Sequence, residues 1–269
     1  MAFRHDLKAF HDLEFLDSDV CRGIRLELEF LKPEMQLRKR RVESTVILFG
    51  SARLRPAEQA ARQLENAREA LKDAPKDPAR KLAVRQAERL LANSKYYDIA
   101  RDFARKVTCF DKNQTDGHQF VVITGGGPGI MEAGNRGAAD MGGISVGLNI
   151  TLPHEQKPNR FIPKDLSFAF HYFCIRKMHF VKSAKAVAAF PGGFGTMDEL
   201  FEVLTLIQTG IIKPIPVLLF GKRFWEELIH WQKFVDDGVI SPEDLKLFHY
   251  CESADEGWNV IQDFYKLRG

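Results

Sequence analysis

The sequence lacks the features of membrane and secreted proteins. No apolar run approaches the roughly 18 residues that a transmembrane helix needs, and the first residues lack a signal peptide's apolar segment. Cysteine is scarce: Cys21, Cys109, Cys174 and Cys251 are scattered, with no Cys-x-x-Cys pair. This pattern indicates reduced thiols in a cytoplasmic protein and gives little support to a metal site. The histidines also lack metal-ligand spacing, so no metal is expected.

The balance of charge excludes two classes of partner. The chain has 39 basic and 36 acidic residues, and the net charge of +3 is too small to indicate nucleic acid or a membrane surface. Residues 38–41 are all basic, but a solvated helix end explains that run better than an anion-binding patch.

Two common nucleotide-binding motifs are also absent. A dinucleotide site needs Gly-x-Gly-x-x-Gly, but the third glycine position is Ile130, Glu132 or Asp198 in the three registers available. A phosphate loop of the NTPase type fails as well, because Gly221-Lys222 has Pro216 where the first glycine belongs. The sequence therefore argues against an ordinary NAD enzyme and an NTPase, and no cofactor is expected.

The apolar segments that are present predict an α/β fold. Short, continuously apolar runs alternate with helical segments, which is typical of a parallel sheet covered on both faces. We predict a Rossmann-like, doubly wound, mainly parallel sheet over residues 44–269, preceded by a helical arm over 1–43. A helical hairpin is inserted at about 56–95. Strands are expected at 45–49, 120–124, 144–149, 167–172, 186–190, 215–220 and 248–251, and later helices at 96–110, 130–141, 174–184, 196–209, 222–236 and 254–267.

Two of the predicted strands run directly into glycine-rich turns. One is followed by Pro191-Gly192-Gly193-Phe194-Gly195, with a helix expected from Thr196. Glycines permit close approach of the backbone to a ligand, and the N–H groups at a helix start favour an anion. Thr196 and Glu199 are equally consistent with a capping box, in which their side chains only close the helix start.

A second loop of the same kind shifts the balance toward a binding site. Gly125-Gly126-Gly127-Pro128-Gly129 follows the strand at 120–124, and a helix begins near Ile130. Two such junctions can meet at the carboxyl edge of one parallel sheet. Arg176 and Lys177 could reach the same edge, although spacing alone favours ordinary solvent-facing residues.

Together these segments resemble the LOG ("lonely guy") family of phosphoribohydrolases and nucleotide 5′-monophosphate nucleosidases. The signature Pro-Gly-Gly-x-Gly-Thr-x-x-Glu covers Pro191–Glu199, the Arg-Lys pair precedes it at the family's distance, and Phe49–Arg53 resembles the family's first strand and turn. The label "lysine decarboxylase-like" is often given to this family. A decarboxylase would need pyridoxal phosphate with its lysine and pyridinium partners, and the sequence does not supply that set recognisably.

The resemblance implies hydrolysis of the N-glycosidic bond of a nucleoside 5′-monophosphate, with AMP or a cytokinin riboside monophosphate as substrate, in a homodimer or larger homo-oligomer. Glu199 and Arg176 are the implied catalytic residues, because a carboxylate can stabilise an oxocarbenium-like state or activate water. The implied substrate-binding residues are Ser51, Gly125, Gly126, Gly127, Gly129, Met131, Glu132, Lys177, Pro191, Gly192, Gly193, Gly195 and Thr196.

Other interpretations stay open at this point. Plant-like members carry His-Glu where this chain has Cys174-Ile175, so Asn149, Phe170 or Phe173 could shape a different base pocket. A non-catalytic nucleotide sensor could use the same loops without needing Glu199 and Arg176, and a transferase could use an acceptor other than water.

Overall fold

A computed structural model describes residues 6–113, 119–151 and 157–267. Its centre is one sheet of seven parallel strands in the order β4-β3-β2-β1-β5-β6-β7. The strands are β1 (Thr45–Phe49), β2 (Val121–Thr124), β3 (Ser145–Ile150), β4 (Ser167–Phe170), β5 (Ala184–Ala189), β6 (Val217–Phe220) and β7 (His249–Cys251). The predicted doubly wound, parallel α/β fold is confirmed.

Helices cover both faces of the sheet. The helices are α1 (Leu13–Asp17), α2 (Arg22–Lys39), α3 (Ala57–Asp73), α4 (Pro78–Ala92), α5 (Lys95–Lys112), α6 (Ile130–Asp140), α7 (Phe173–Lys182), α8 (Phe194–Gln208), α9 (Lys222–Leu228), α10 (Trp231–Asp236) and α11 (Ala254–Tyr265). Helices α5, α6 and α11 pack on one face, and α7, α8 and α9 on the other. Within β1, Val46 and Leu48 enter the first core while Ile47 and Phe49 enter the second, which explains the uninterrupted apolar strand.

The segment predicted as one helix over 222–236 is two helices, so that prediction is wrong. The chain is extended at Ile229, which ends α9, and α10 begins at Trp231. The break turns the Trp231 ring onto Phe248, with 4.7 Å between ring centroids. Burial of an aromatic side chain outweighs helix propensity here.

The order of the strands places a binding edge at the centre of the sheet. From β1 the chain proceeds outward through β2, β3 and β4, then returns to β5 on the other side of β1. Such a reversal opens a crevice at the carboxyl ends of the two central strands. The loops after β1, β2 and β5 meet there: Ser51 N–H donates to the Pro191 carbonyl at 3.0 Å, and Ile130 N–H donates to the Ser51 carbonyl at 3.1 Å.

The segment at 56–95 forms two helices, α3 and α4, which pack on each other and carry an Arg68–Glu88 ion pair at 2.9 Å. The end of α4 reaches the first core through Leu90. Within the described residues, no helix is long and apolar enough to cross a membrane.

Candidate active site

A cavity of about 710 Å³ lies at the carboxyl ends of β1, β2 and β5. The loops after these strands form its floor, and side chains from α6, α7 and α8 form one wall. Of the residues predicted to bind or transform a ligand, those that line the cavity are Ser51, Gly125, Gly127, Met131, Arg176, Pro191, Gly192, Gly193, Gly195, Thr196 and Glu199.

The loop after β5 supplies a helix start that faces the cavity. Helix α8 begins at Phe194, two residues earlier than predicted, with Gly193 as its N-cap. The first N–H groups of a helix have no partner within the helix, so they are available to an anion. Gly192 must be glycine, because a Cβ there would lie 2.1 Å from Thr196 Oγ1.

The capping-box interpretation of Thr196 and Glu199 is wrong. Gly193 is the N-cap residue, and the Thr196 N–H donates to the Gly193 carbonyl at 3.0 Å. The Glu199 carboxylate does not return to the helix start; it accepts a hydrogen bond from Arg176. Thr196 and Glu199 therefore line the cavity and do not form a capping box.

A buried polar network holds the loop after β2. Asn159 Nδ2 donates to the carbonyls of Gly126 and Gly127 at 3.1 and 3.0 Å, and to Asn135 Oδ1 at 2.9 Å. Thr124 Oγ1 accepts from the Gly126 N–H at 3.0 Å and donates to Asn135 Oδ1 at 2.8 Å. These bonds fix the carbonyls on the far side of the loop, which leaves Gly125 and Gly127 to line the cavity.

Arg176 and Glu199 form a buried ion pair at the cavity wall. Arg176 Nη1 lies 3.2 Å from Glu199 Oε1, and the two side chains are 11% and 6% exposed. Arg176 Nε also donates to the Leu148 carbonyl at 2.7 Å, and its guanidinium lies 4.9 Å from the centre of the Phe180 ring. With these contacts the guanidinium is fixed in position and orientation.

Burial changes the ionisation of Glu199. Loss of solvent raises the pKa of Glu199 to about 7, and the charges of Arg176 and Lys177 oppose that shift. Burial also lowers the pKa of Arg176 from its ordinary value, while Glu199 and Asp198 raise it. A carboxyl group with a pKa near neutrality can exchange a proton during a reaction at physiological pH.

Four predicted substrate-binding residues lie outside the cavity. Gly126 and Gly129 have positive φ angles of 74°, and a Cβ on Gly129 would lie 2.2 Å from the Ser51 carbonyl oxygen, so they shape the loop. Glu132 accepts a hydrogen bond from the Tyr97 hydroxyl at 2.9 Å. Lys177 pairs with Asp198 at 2.8 Å and Glu202 at 3.3 Å.

The candidate base-pocket residues are divided in the same way. Asn149 and Phe173 line the cavity, whereas Phe170 is buried in the core behind it.

No group of three or more His, Cys, Asp or Glu side chains that could hold a metal occurs among residues 6–113, 119–151 and 157–267.

Sequence reasoning missed part of the cavity lining. Leu90 and Asn93, at the end of the inserted hairpin, line the cavity together with Leu54 and Phe224. No local pattern marks these residues as part of a site, since they come from three separate segments. Asn159 was missed as well, because it lies between β3 and β4, 33 and 32 residues from Gly126 and Gly127, whose carbonyls it binds.

Part of the chain is similar in sequence to known proteins. Residues 131–261 match the family model described as "Possible lysine decarboxylase". Cytokinin riboside 5′-monophosphate phosphoribohydrolase LOG7 of Arabidopsis thaliana is 38% identical over 90 residues, which are 33% of this chain and 42% of that protein. The enzyme LOG5 of the same plant is 28% identical over 163 residues, 60% of this chain and 68% of that protein.

The chain thus spans less than half the length of the first of these relatives. Among solved structures, a Moco carrier protein from Chlamydomonas reinhardtii aligns at 16% identity and a TM-score of 0.45, over 83% of this chain and 99% of that one. That likeness is too low to bear on function. By the order of its motifs, its matching segment and its curated relatives, the chain is similar to the LOG ("lonely guy") family.

Proposed function

We propose that this protein hydrolyses the N-glycosidic bond of a nucleoside 5′-monophosphate to a free base and ribose 5-phosphate. The observation that carries the proposal is the buried Arg176–Glu199 pair, which lines the same cavity as the start of α8. The names of the Arabidopsis relatives, phosphoribohydrolases of cytokinin riboside 5′-monophosphate, support the same reaction.

The phosphate is assigned to the start of α8. Backbone N–H groups of Gly192, Gly193 and Gly195, with the Thr196 hydroxyl, can donate to its oxygens, and the partial positive charge of the helix start adds to the attraction. Pro191 and Ser51 shape the adjoining floor, where their hydrogen bond joins two loops. This end of the cavity therefore fixes the 5′ end of the substrate.

The ribose then extends toward Glu199. Gly125, Gly127 and Met131 form the wall beside it, and Asn149 and Phe173 lie farther along the cavity. Gly126 and Gly129 act on the substrate only through the shape of their loop. Glu132 and Lys177, which point to other partners, support α6 and α8 respectively.

The reaction uses Glu199 as its base. The bond between C1′ and the base nitrogen breaks with its electron pair leaving on the base, and C1′ develops oxocarbenium character that the carboxylate stabilises. Water adds its oxygen to C1′ and transfers a proton to Glu199. The departing base takes up a proton from solvent, and Glu199 then releases its proton to solvent, which restores the carboxylate. Arg176 holds Glu199 in place and favours its ionised form.

The proposal is tested by incubating the purified protein separately with AMP, GMP, CMP, UMP and isopentenyladenosine monophosphate, followed by chromatography of the products. We expect free base and ribose 5-phosphate from AMP or from isopentenyladenosine monophosphate. Intact nucleotides despite binding measured by calorimetry would instead identify a nucleotide sensor.

We also propose a homodimer with its interface at the rim of the cavity. Phe194 and Phe173 border the cavity and are 96% and 51% exposed, which is unusual for side chains beside a binding site. We expect light scattering to give twice the chain mass, and Phe194→Asp to give a monomer. Phe10→Asp is the control, because Phe10 is 67% exposed on the arm. A monomeric wild type would refute the dimer.

The free thiols of Cys109 and Cys174, both exposed, favour a cytoplasmic location.

A further inference from the structure

The amino-terminal arm contacts the helix that carries Arg176. Glu29, on α2, accepts hydrogen bonds from two successive backbone N–H groups, that of His171 at 2.7 Å on Oε1 and that of Tyr172 at 3.1 Å on Oε2. Tyr172 is the N-cap residue of α7, and its own side chain makes no capping hydrogen bond. A glutamate that is distant in sequence therefore holds the two residues that lead into this helix.

A carboxylate suits this position for two reasons. Its two oxygens can satisfy both N–H groups at once, and its charge is favoured at the positive end of the helix. Arg176 follows one turn later, and its backbone N–H donates to the Tyr172 carbonyl at 3.2 Å. A shift of Tyr172 would therefore also shift the backbone of Arg176, because this hydrogen bond joins them.

The guanidinium of Arg176 has little room to compensate for a shift of that backbone. It is bound to the Leu148 carbonyl at 2.7 Å and to Glu199 at 3.2 Å. It also lies close to the loop after β2, since a Cβ on Gly125 would be 2.7 Å from Arg176 Nη2. A small displacement of the start of α7 would break its alignment with Glu199.

The arm also holds the other end of α7. Glu34 forms an ion pair with Lys182, and the Lys182 ammonium lies 5.2 Å from the centre of the Phe30 ring. The Phe30 ring also packs on His179 with 5.2 Å between centroids. These contacts are made after Arg176, so they stabilise α7 without fixing the turn that bears the arginine.

We propose that Glu29 is a positioning residue of the active site: its carboxylate fixes the start of α7 and thereby aligns Arg176 with Glu199. The inference rests on the proposed hydrolase function for its kinetic consequences. It gives the arm, which lies outside the segment matched by the family model, a role in the reaction.

The test compares Glu29→Ala and Glu29→Gln with two controls in the full chain. Glu34→Ala removes the ion pair at the far end of α7, and Glu27→Ala removes an exposed carboxylate from the same helix. Two quantities are measured, the kcat and KM for AMP or for whichever nucleotide the wild type hydrolyses, and the pKa of Glu199 by ¹³C NMR. The groups that face Glu199, namely Arg176, Lys177, Asp198 and Glu202, are present in all four variants.

We expect Glu29→Ala to lower kcat about tenfold, because misplacement of a catalytic group by about 1 Å has effects of this size or larger, with KM nearly unchanged. Glu199 should titrate at higher pH than in the wild type, since Arg176 no longer offsets its burial. Glu29→Gln should restore part of both values, because its amide oxygen still accepts one hydrogen bond. Glu34→Ala should lower thermal stability alone, and Glu27→Ala should change nothing.

A wild-type kcat and a wild-type Glu199 pKa in Glu29→Ala would overturn the inference. Equal losses of kcat in Glu29→Ala and Glu34→Ala would also overturn it, because they would show that the arm acts only through stability. If the wild type hydrolyses no nucleotide, the hydrolase proposal fails, and the Glu199 titration still decides whether Glu29 positions Arg176.

Discussion

Replacing Glu199 with glutamine is expected to lower kcat about 10²–10⁴-fold, the range typical for loss of a general base. Glutamine keeps the size of the side chain and can still accept the hydrogen bond from Arg176. It can neither accept a proton from water nor offset the positive charge that develops at C1′. Nucleotide binding should persist, because the phosphate is held by the start of α8.

The pH dependence gives a second signature of Glu199. The pKa of Glu199 in the free protein is about 7 and its ionised form is the base, so kcat/KM should fall about tenfold for each unit of pH below 7 and level off above it. The Glu199→Gln variant should not show this decrease below pH 7. Steady-state rates from pH 5 to 9 measure both effects, with calorimetry for binding. A variant that retains the wild-type kcat would exclude Glu199 as the base.

The matched control for that substitution is Glu226→Gln. Glu226 is an exposed glutamate of α9, on the helix that also contributes Phe224 to the cavity wall. The same chemical change there should leave kcat and its pH profile at wild-type values. Equal losses in the two variants would show that the effect comes from net charge or stability and not from the position of Glu199.

The fold was predictable because its signals are local. A buried parallel strand needs apolar residues on both faces, so β1 and β5 are recognisable from five or six consecutive residues. A glycine loop between a strand and a helix also marks one edge of the sheet. By contrast, the break between α9 and α10 depends on the packing of Trp231 against Phe248, which are distant in sequence.

The site was predictable only where it is built from those same loops. Arg176 is an unremarkable helix residue by spacing, and only the family resemblance pointed to it. Its partners Leu148 and Glu199 come from a strand and a helix that the fold brings together. The positions of Asn93 in the cavity lining and of Glu29 at the start of α7 were hidden for the same reason, since both residues meet segments that are distant in the chain.

Removal of the Arg176 charge by Arg176→Met is expected to lower kcat at pH 7 about 10²-fold. The attraction of Arg176 lowers the pKa of Glu199 against the effect of burial. Without it the pKa of Glu199 rises above about 7, so a larger fraction of the base is protonated and inactive at pH 7. The carboxylate also loses the hydrogen bond that orients it, and that loss reduces kcat at every pH.

The effects of Arg176 on the protonation and on the orientation of Glu199 can be distinguished by the pH profile. The protonation effect should move the acid limb of kcat/KM to higher pH, and activity should partly recover at pH 9, where Glu199 is ionised again. The orientation effect should remain as a lower plateau. Arg176→Lys should restore the position of the limb more than the height of the plateau, because an ammonium supplies the charge but cannot bind Leu148 and Glu199 with a planar fork. An unshifted limb in Arg176→Met would mean that Arg176 does not control the ionisation of Glu199, and its contribution would then be orientation alone.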